Sequence, residues 1–246
     1  MHLIPSRTEL RSRLRWKVDF HCISITCEKR SLDEQEGVIK FNLEFTPGAA
    51  IDSKTIAALN AWRRIFYQLG LIGQDPKRYG GLGFGNISCR HSSKQTKKKV
   101  SSFLITGSQT AHLSTLSASH YVLVQECSVE NNRVNAVGPI KPSSESLTHC
   151  AVYQCDPAVN AVVHVHNPEI WNNAEQLHIP GTDSGARYGT TEMARQIQRL
   201  LSISGSSSGV IVMKGHTDGM VAYGTSLDDA CVGLIRLYQK ALKYLD

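Results

Sequence analysis

No apolar run in the chain approaches the roughly 20 residues that cross a bilayer, and the N-terminus has no apolar core of the kind a secretory signal carries. Neither a membrane-spanning nor a secreted protein is expected. No two cysteines form a CxxC pair. The seven present (Cys22, Cys27, Cys89, Cys127, Cys150, Cys155 and Cys231) are an odd number, so reduced thiols in a cytoplasmic protein are the expectation. There is no internal repeat, and the Ser-rich SISGSSSG at 202–209 is too short to separate domains. The net charge of +6 is unevenly spread. Arg7, Arg11, Arg13, Arg15 and Lys17 crowd one end, and Lys94, Lys97, Lys98 and Lys99 crowd one short segment. Nucleic-acid binding would need a basic face with interleaved aromatics or a recognisable motif, and the sequence has neither. These lysines read as a solvated hairpin tip.

What is present suffices for a large core: 246 residues, 41% hydrophobic and only 20% charged. Residues 1–36 are a weakly patterned extension, and one α/β domain is expected over 37–246. In VIKFNLEF, Ile39, Phe41, Leu43 and Phe45 alternate with polar residues, the pattern of a half-buried strand. An amphipathic helix follows, with Ile56, Leu59, Trp62, Phe66 and Leu69 on its apolar face. Ser53 is placed to cap its start and Gly70 its end. GFGNISCR, VSSFLIT and HYVLVQEC read as short strands, KPSSESLTHCAVYQC as a helix, and AVVHVH as a buried strand. A helix is expected over 169–177 and another over TTEMARQIQRLLS, with Met193, Ile197 and Leu201 inward. GVIVMKG and GMVAYG read as strands around a polar turn. A last helix spans 226–245, with Ser226 and Asp229 patterned as a capping box.

The histidines in AVVHVH carry the chemistry. Side chains i and i+2 of a strand share one face, with Cα atoms about 6.5 Å apart. His164 and His166 therefore project together and can converge on one ion. A zinc site used in catalysis wants three protein ligands and an open position. Two further groups stand near in the sequence. Glu145 begins the helix before this strand, and His216 lies in the turn MKGHTDGM between two later strands.

Taken in order, these motifs resemble the class II aldolase/adducin family. The residues that carry the resemblance are Gly85-Asn86-Ile87-Ser88, then Ile105, Thr106 and Ser108, then Pro142-Ser143-Ser144-Glu145 with His149, then Val162-Val163-His164 and His166, and Gly189-Thr190. It covers roughly residues 55–240. Two departures stand out. The family's proline and glycine around Ser108 are here Gly107 and Gln109. His216 is separated from its following glycine by two additional residues.

The resemblance implies a three-layer α/β/α sandwich around a mixed, largely antiparallel sheet, and a homotetramer. It implies zinc, or another divalent first-row metal, on His164, His166 and His216, and Glu145 as acid/base. Gly85, Asn86, Ser108, Ser143 and Ser144 would line a pocket for a small-molecule substrate that carries a phosphate in the aldolases. His149 would support Glu145 from behind or be an ordinary buried histidine. The implied reaction is lyase chemistry, in which a small hydroxy-ketone or ketose phosphate is cleaved through a metal-stabilised enediolate. Glutamate at 145 is the aldolase pattern, whereas epimerase relatives carry aspartate. Dehydration, epimerisation or decarboxylation on the same metal site is the alternative, and a non-catalytic adducin-like interaction module a further one. The other histidines, His2, His21, His91, His112, His120 and His178, have no assigned role.

Overall fold

The computed structural model describes residues 37–91 and 102–244. Their frame is an eight-stranded sheet in the order β1-β7-β6-β5-β4-β8-β10-β9. The strands are β1 (Asn42–Pro47), β4 (Asn86–Arg90), β5 (Phe103–Thr106), β6 (Tyr121–Ser128), β7 (Arg133–Gly138), β8 (Ala161–His166), β9 (Gly209–Val212) and β10 (Gly219–Gly224). A separate two-stranded piece pairs β2 (Gly73–Gln74) with β3 (Gly83–Phe84). Only the edge pair β1–β7 is parallel; the other ladders of the large sheet are antiparallel.

Among the described residues five α-helices accompany the sheet: α1 (Ala57–Gln68), α2 (Ser146–Cys155), α3 (Pro168–Asn172), α4 (Thr191–Ser204) and α5 (Leu227–Ala241). Strand alternation decides which core each residue joins. Phe103, Ile105, Val122, Val124, Val162 and Val221 pack with Leu147, Ala151 and Tyr153 of α2 and Met193 and Ile197 of α4. Their neighbours Leu104, Tyr121, Val163, Val165, Met220 and Ala222 face the other way, onto Leu59 and Phe66 of α1, Ile170 of α3 and Leu234 of α5. The result is the expected three-layer sandwich. Because β8 is covered on both faces, all six of its residues are buried, which suits a run of small and β-branched side chains.

Several local expectations are corrected. The N-cap of α1 is Ile56, with no side-chain cap, so Ser53 does not serve. Leu69 is exposed, whereas Arg63, which the apolar pattern leaves out, is buried. The guanidinium of Arg63 is accommodated because Nη2 donates to the carbonyls of Thr110 and Ala111, each at 3.1 Å. The helix expected over 169–177 ends at Asn172. The strand in VIKFNLEF begins later, at Asn42, and pairs with β7, a strand absent from the sequence reading. The reduced-thiol expectation also fails. Cys127 on β6 and Cys150 on α2 form a disulfide, their Cα atoms 6.2 Å apart where the helix packs on the strand. Cys89, Cys155 and Cys231 are free thiols, while Cys22 and Cys27 lie outside the described residues. So do the lysine run 94–99, the extension 1–36 and Leu245. At the start of α5 half of the expected capping box forms: Ser226 accepts from the Asp229 amide, but the Asp229 carboxylate accepts from Thr225 rather than from the Ser226 amide. Among the described residues no helix is long and apolar enough to cross a membrane.

Candidate metal centre

His164 and His166 lie on the same face of β8 as Val162, the face that looks toward α2. Strands β4 and β10 flank them, so that His164 stands opposite Asn86 on one side and Val221 on the other. The turn joining β9 to β10 brings His216 over the same spot. That turn is closed by His216 N–H on the Met213 carbonyl and Gly219 N–H on the His216 carbonyl, both 2.9 Å. It runs so close to residues 184–186 that a Cβ on Gly215 would overlap the Ala186 carbonyl. One ligand atom from each of the three imidazoles fits within 4.8 Å of the others. The Nε2 atoms of His164 and His166 are 3.1 Å apart, close to the separation of about 3.3 Å that tetrahedral ligands hold at zinc bond lengths of 2.0–2.1 Å.

The protonation pattern also fits. His164 Nδ1 lies 3.0 Å from the Met220 carbonyl. A carbonyl only accepts, so the proton sits on Nδ1 and leaves the Nε2 lone pair facing the cluster, the arrangement usual for a metal-ligating histidine. Burial holds the His166 imidazole well below its ordinary pKa, and His216, His164 and Arg78 push the same way. A metal ligand must be neutral, and the His166 ring is kept so. Two tyrosines bracket the cluster. Tyr79 sets its edge against His166, with ring centroids 4.6 Å apart, and Tyr188 stacks on His216 at 4.7 Å.

Glu145 is the N-cap of α2 rather than a first-turn residue, and its side chain makes no cap hydrogen bond. It is 2% exposed. Oε2 accepts from Thr148 Oγ1 at 2.9 Å. Oε1 has no hydrogen-bond partner and lies 3.8 Å from His216 Nδ1. His149, one turn further on, does not bond to Glu145 through its side chain. Its Nδ1 is 2.6 Å from Ser88 Oγ, which also meets Tyr153 OH at 2.8 Å. Burial, aided by His164, holds the His149 pKa well below the ordinary range.

A pocket of about 310 Å³ opens beside the cluster. Gly85, Asn86, Ser108, Ser143 and Ser144 all line it, together with Glu145 and His164. Gly85 has φ +79 and no room for a Cβ beside Ile72, which lets the chain turn sharply into β4 and aim Asn86 at the pocket. The buried Oδ1 of Asn86 has no hydrogen-bond partner. Ser143 Oγ accepts from the Glu145 amide at 3.3 Å. The loop around Ser108 is docked by Ser108 N–H on the Lys141 carbonyl at 2.8 Å. Gln109 adopts φ +58, so the left-handed turn that a glycine would favour forms with glutamine. Gln74, Gln109 and His112 also line the pocket. The sequence reading passed over Gln74, left His112 without a role and met Gln109 as a departure from the family pattern beside Ser108.

The family model described as Class II Aldolase and Adducin N-terminal domain matches residues 76–244. No curated protein sequence matches the chain. Among solved structures, an L-fuculose 1-phosphate aldolase superposes with a TM-score of 0.59 at 20% identity, over 79% of this chain and 86% of the other. L-fuculose-1-phosphate aldolase from Thermus thermophilus gives 0.55 at 22%, over 79% and 94%. YgbL from Escherichia coli, described as a putative aldolase/epimerase/decarboxylase, gives 0.57 at 18%, over 78% and 88%. At such identities the superpositions speak for the fold alone, and the family match covers more than half of the sequence. The chain belongs to the class II aldolase and adducin family.

Proposed function

We propose that the protein is a metal-dependent lyase of the aldolase type, acting on a small hydroxy-ketone or ketose phosphate. The observation that carries this reading is Glu145 Oε1, buried without a hydrogen-bond partner and facing the three-histidine cluster at one end of a polar pocket. His164, His166 and His216 would hold the ion, with zinc the first candidate among divalent first-row metals. When bound, such an ion polarises carbonyl and hydroxyl oxygens and stabilises the negative charge that builds up as a carbon–carbon bond breaks.

The other steps belong to the chain's own residues. Glu145 takes up the hydroxyl proton released when the aldehyde fragment forms and returns a proton to the remaining carbon. A carboxylate in a partly dry pocket is suited to this exchange. Asn86 offers its unpartnered Oδ1 to a substrate hydroxyl. Ser143 and Ser144, just before α2, suit an anionic group on the substrate. The bond from Ser88 to His149 pins β4 to α2 and so keeps Glu145 beside β8. By the same family resemblance the working unit is a homotetramer.

Metal analysis of the purified protein is the first test. A stoichiometric divalent ion in the wild type and its loss in His164→Ala are expected. A wild type without metal would end this reading. Given metal, a panel of ketose phosphates should yield a free aldehyde from at least one member. Loss of water without aldehyde would assign the site to dehydration instead.

A further inference from the structure

The two residues that separate His216 from Gly219, Thr217 and Asp218, take no part in the chemistry above. The structure gives one of them a definite place. The Asp218 carbonyl accepts from the amide of Asn167, the residue after His166, at 2.9 Å. Its carboxylate Oδ2 accepts from Tyr79 OH at 2.7 Å. The Tyr79 ring is the one set edge-on against His166, and it also meets Phe84 edge-on, with centroids 5.1 Å apart. Arg78 Nη2 donates to Tyr79 OH at 2.6 Å and lies 4.0 Å from Asp218 Oδ2. The guanidinium covers the faces of Tyr79 and Phe84, 4.9 and 4.8 Å from their centroids. Tyr79 and Asp218 both have φ in the left-handed region, +49 and +60, where non-glycine residues are uncommon. Two such residues meeting through one hydrogen bond beside a candidate site mark a contact that the surrounding structure holds against local preference.

Resting on the metal reading above, we propose that Asp218 and Tyr79 form a positioning tie that holds the ring of His166 and the turn carrying His216 in register for one shared ion. Asp218 reaches the end of β8 through its backbone and the Tyr79 ring through its side chain, and it stands two residues from His216. The additional pair of residues in the turn is thus the fastening of the third ligand. Neither Asp218 nor Tyr79 ligates; each acts through the histidine it restrains.

The test is a competition titration of zinc against a chromophoric chelator on the full chain, with the visible spectrum of the cobalt-loaded protein recorded alongside. Tyr79→Phe keeps the ring on His166 and removes the hydroxyl. Asp218→Ala removes the acceptor, and Asp218→Asn keeps an oxygen that can accept. Tyr79→Phe and Asp218→Ala should raise the zinc dissociation constant about tenfold or more, as loss of outer partners does at other metal sites, and alter the cobalt bands. Asp218→Asn should stay close to wild type. Should Asp218→Ala fail to fold, Tyr79→Phe decides. Wild-type affinity in Tyr79→Phe would overturn the tie while leaving the metal site standing. A loss in Asp218→Asn as large as in Asp218→Ala would assign the effect to the charge and also overturn it. A wild type that takes up no zinc would fell the metal reading and this one together.

Discussion

Glu145 and His149 lie one turn apart at the start of α2, and the structure gives them different neighbours. Glu145 Oε1 faces the pocket, so Glu145→Gln should preserve metal uptake and fold while lowering kcat by about 10²–10⁴-fold, the usual worth of a positioned proton carrier. Turnover of metal-loaded variant and wild type checks it, and equal turnover would remove Glu145 from the chemistry. His149 is buried neutral, with its pKa depressed from the ordinary 6.5. Unfolded, it binds a proton near 6.5; folded, only at lower pH. Stability should therefore be complete above about 6.5 and fall as the pH drops from there toward the depressed folded value. Denaturation at stepped pH should show this slope, shallower in His149→Gln. At this scale the sequence was readable where spacing carries direction, as in the i, i+2 pair His164 and His166. It was unreadable at Arg63. A charged side chain looks like solvent surface until the two carbonyls that receive it, 47 and 48 residues away, are known.

Elements were legible in proportion to how fully they are covered. β8 occupies AVVHVH because four small or β-branched side chains, with two histidines, suit a strand buried on both faces. α4 and α5 announce themselves through their apolar stripes and side-chain caps. β7 escaped although it buries alternate residues, because the buried positions are Val134, Ala136 and Gly138, of which only the valine is bulky enough to mark an apolar face. α3 was placed in the sequence, but its end was not: with five residues and a Pro at their start it is too short for a helical period to mark its boundary. The disulfide was hidden for a related reason: its cysteines belong to a strand and a helix, 23 residues apart, with no local motif between them. It closes that length of chain and fastens α2, the helix behind Glu145, to β6. Cys127→Ala should cost roughly 3 kcal/mol of stability by loop-closure entropy. Chemical denaturation under non-reducing conditions, wild type against variant, measures it. An unchanged midpoint would mean that the bridge contributes nothing to the folded state's advantage.

For the whole molecule, the layered architecture came from the resemblance and was then found in the sheet and its two cores. Strand order could not be read from local pattern. β8 lies between β4 and β10, partners reached across long stretches of sequence; the resemblance grouped Asn86, His164 and His216, and the assembled sheet shows how they come to be neighbours.

The placing of β8 also bears on how the molecule is made. Ser88 and Val162 are 74 residues apart, and His164 and Met220 are 56 apart, so the ladders that frame the histidines are among the non-local contacts that slow a chain's search for its native state. A slip of one residue in β8 would turn both imidazoles into the opposite core. On the proposed metal reading, capture of the ion would follow sheet closure and reward only the correct register. In stopped-flow refolding, the main phase should run at the same rate with zinc or with a chelator, and zinc should enter afterwards. Refolding that quickens with zinc concentration would show instead that the ion gathers its ligands first.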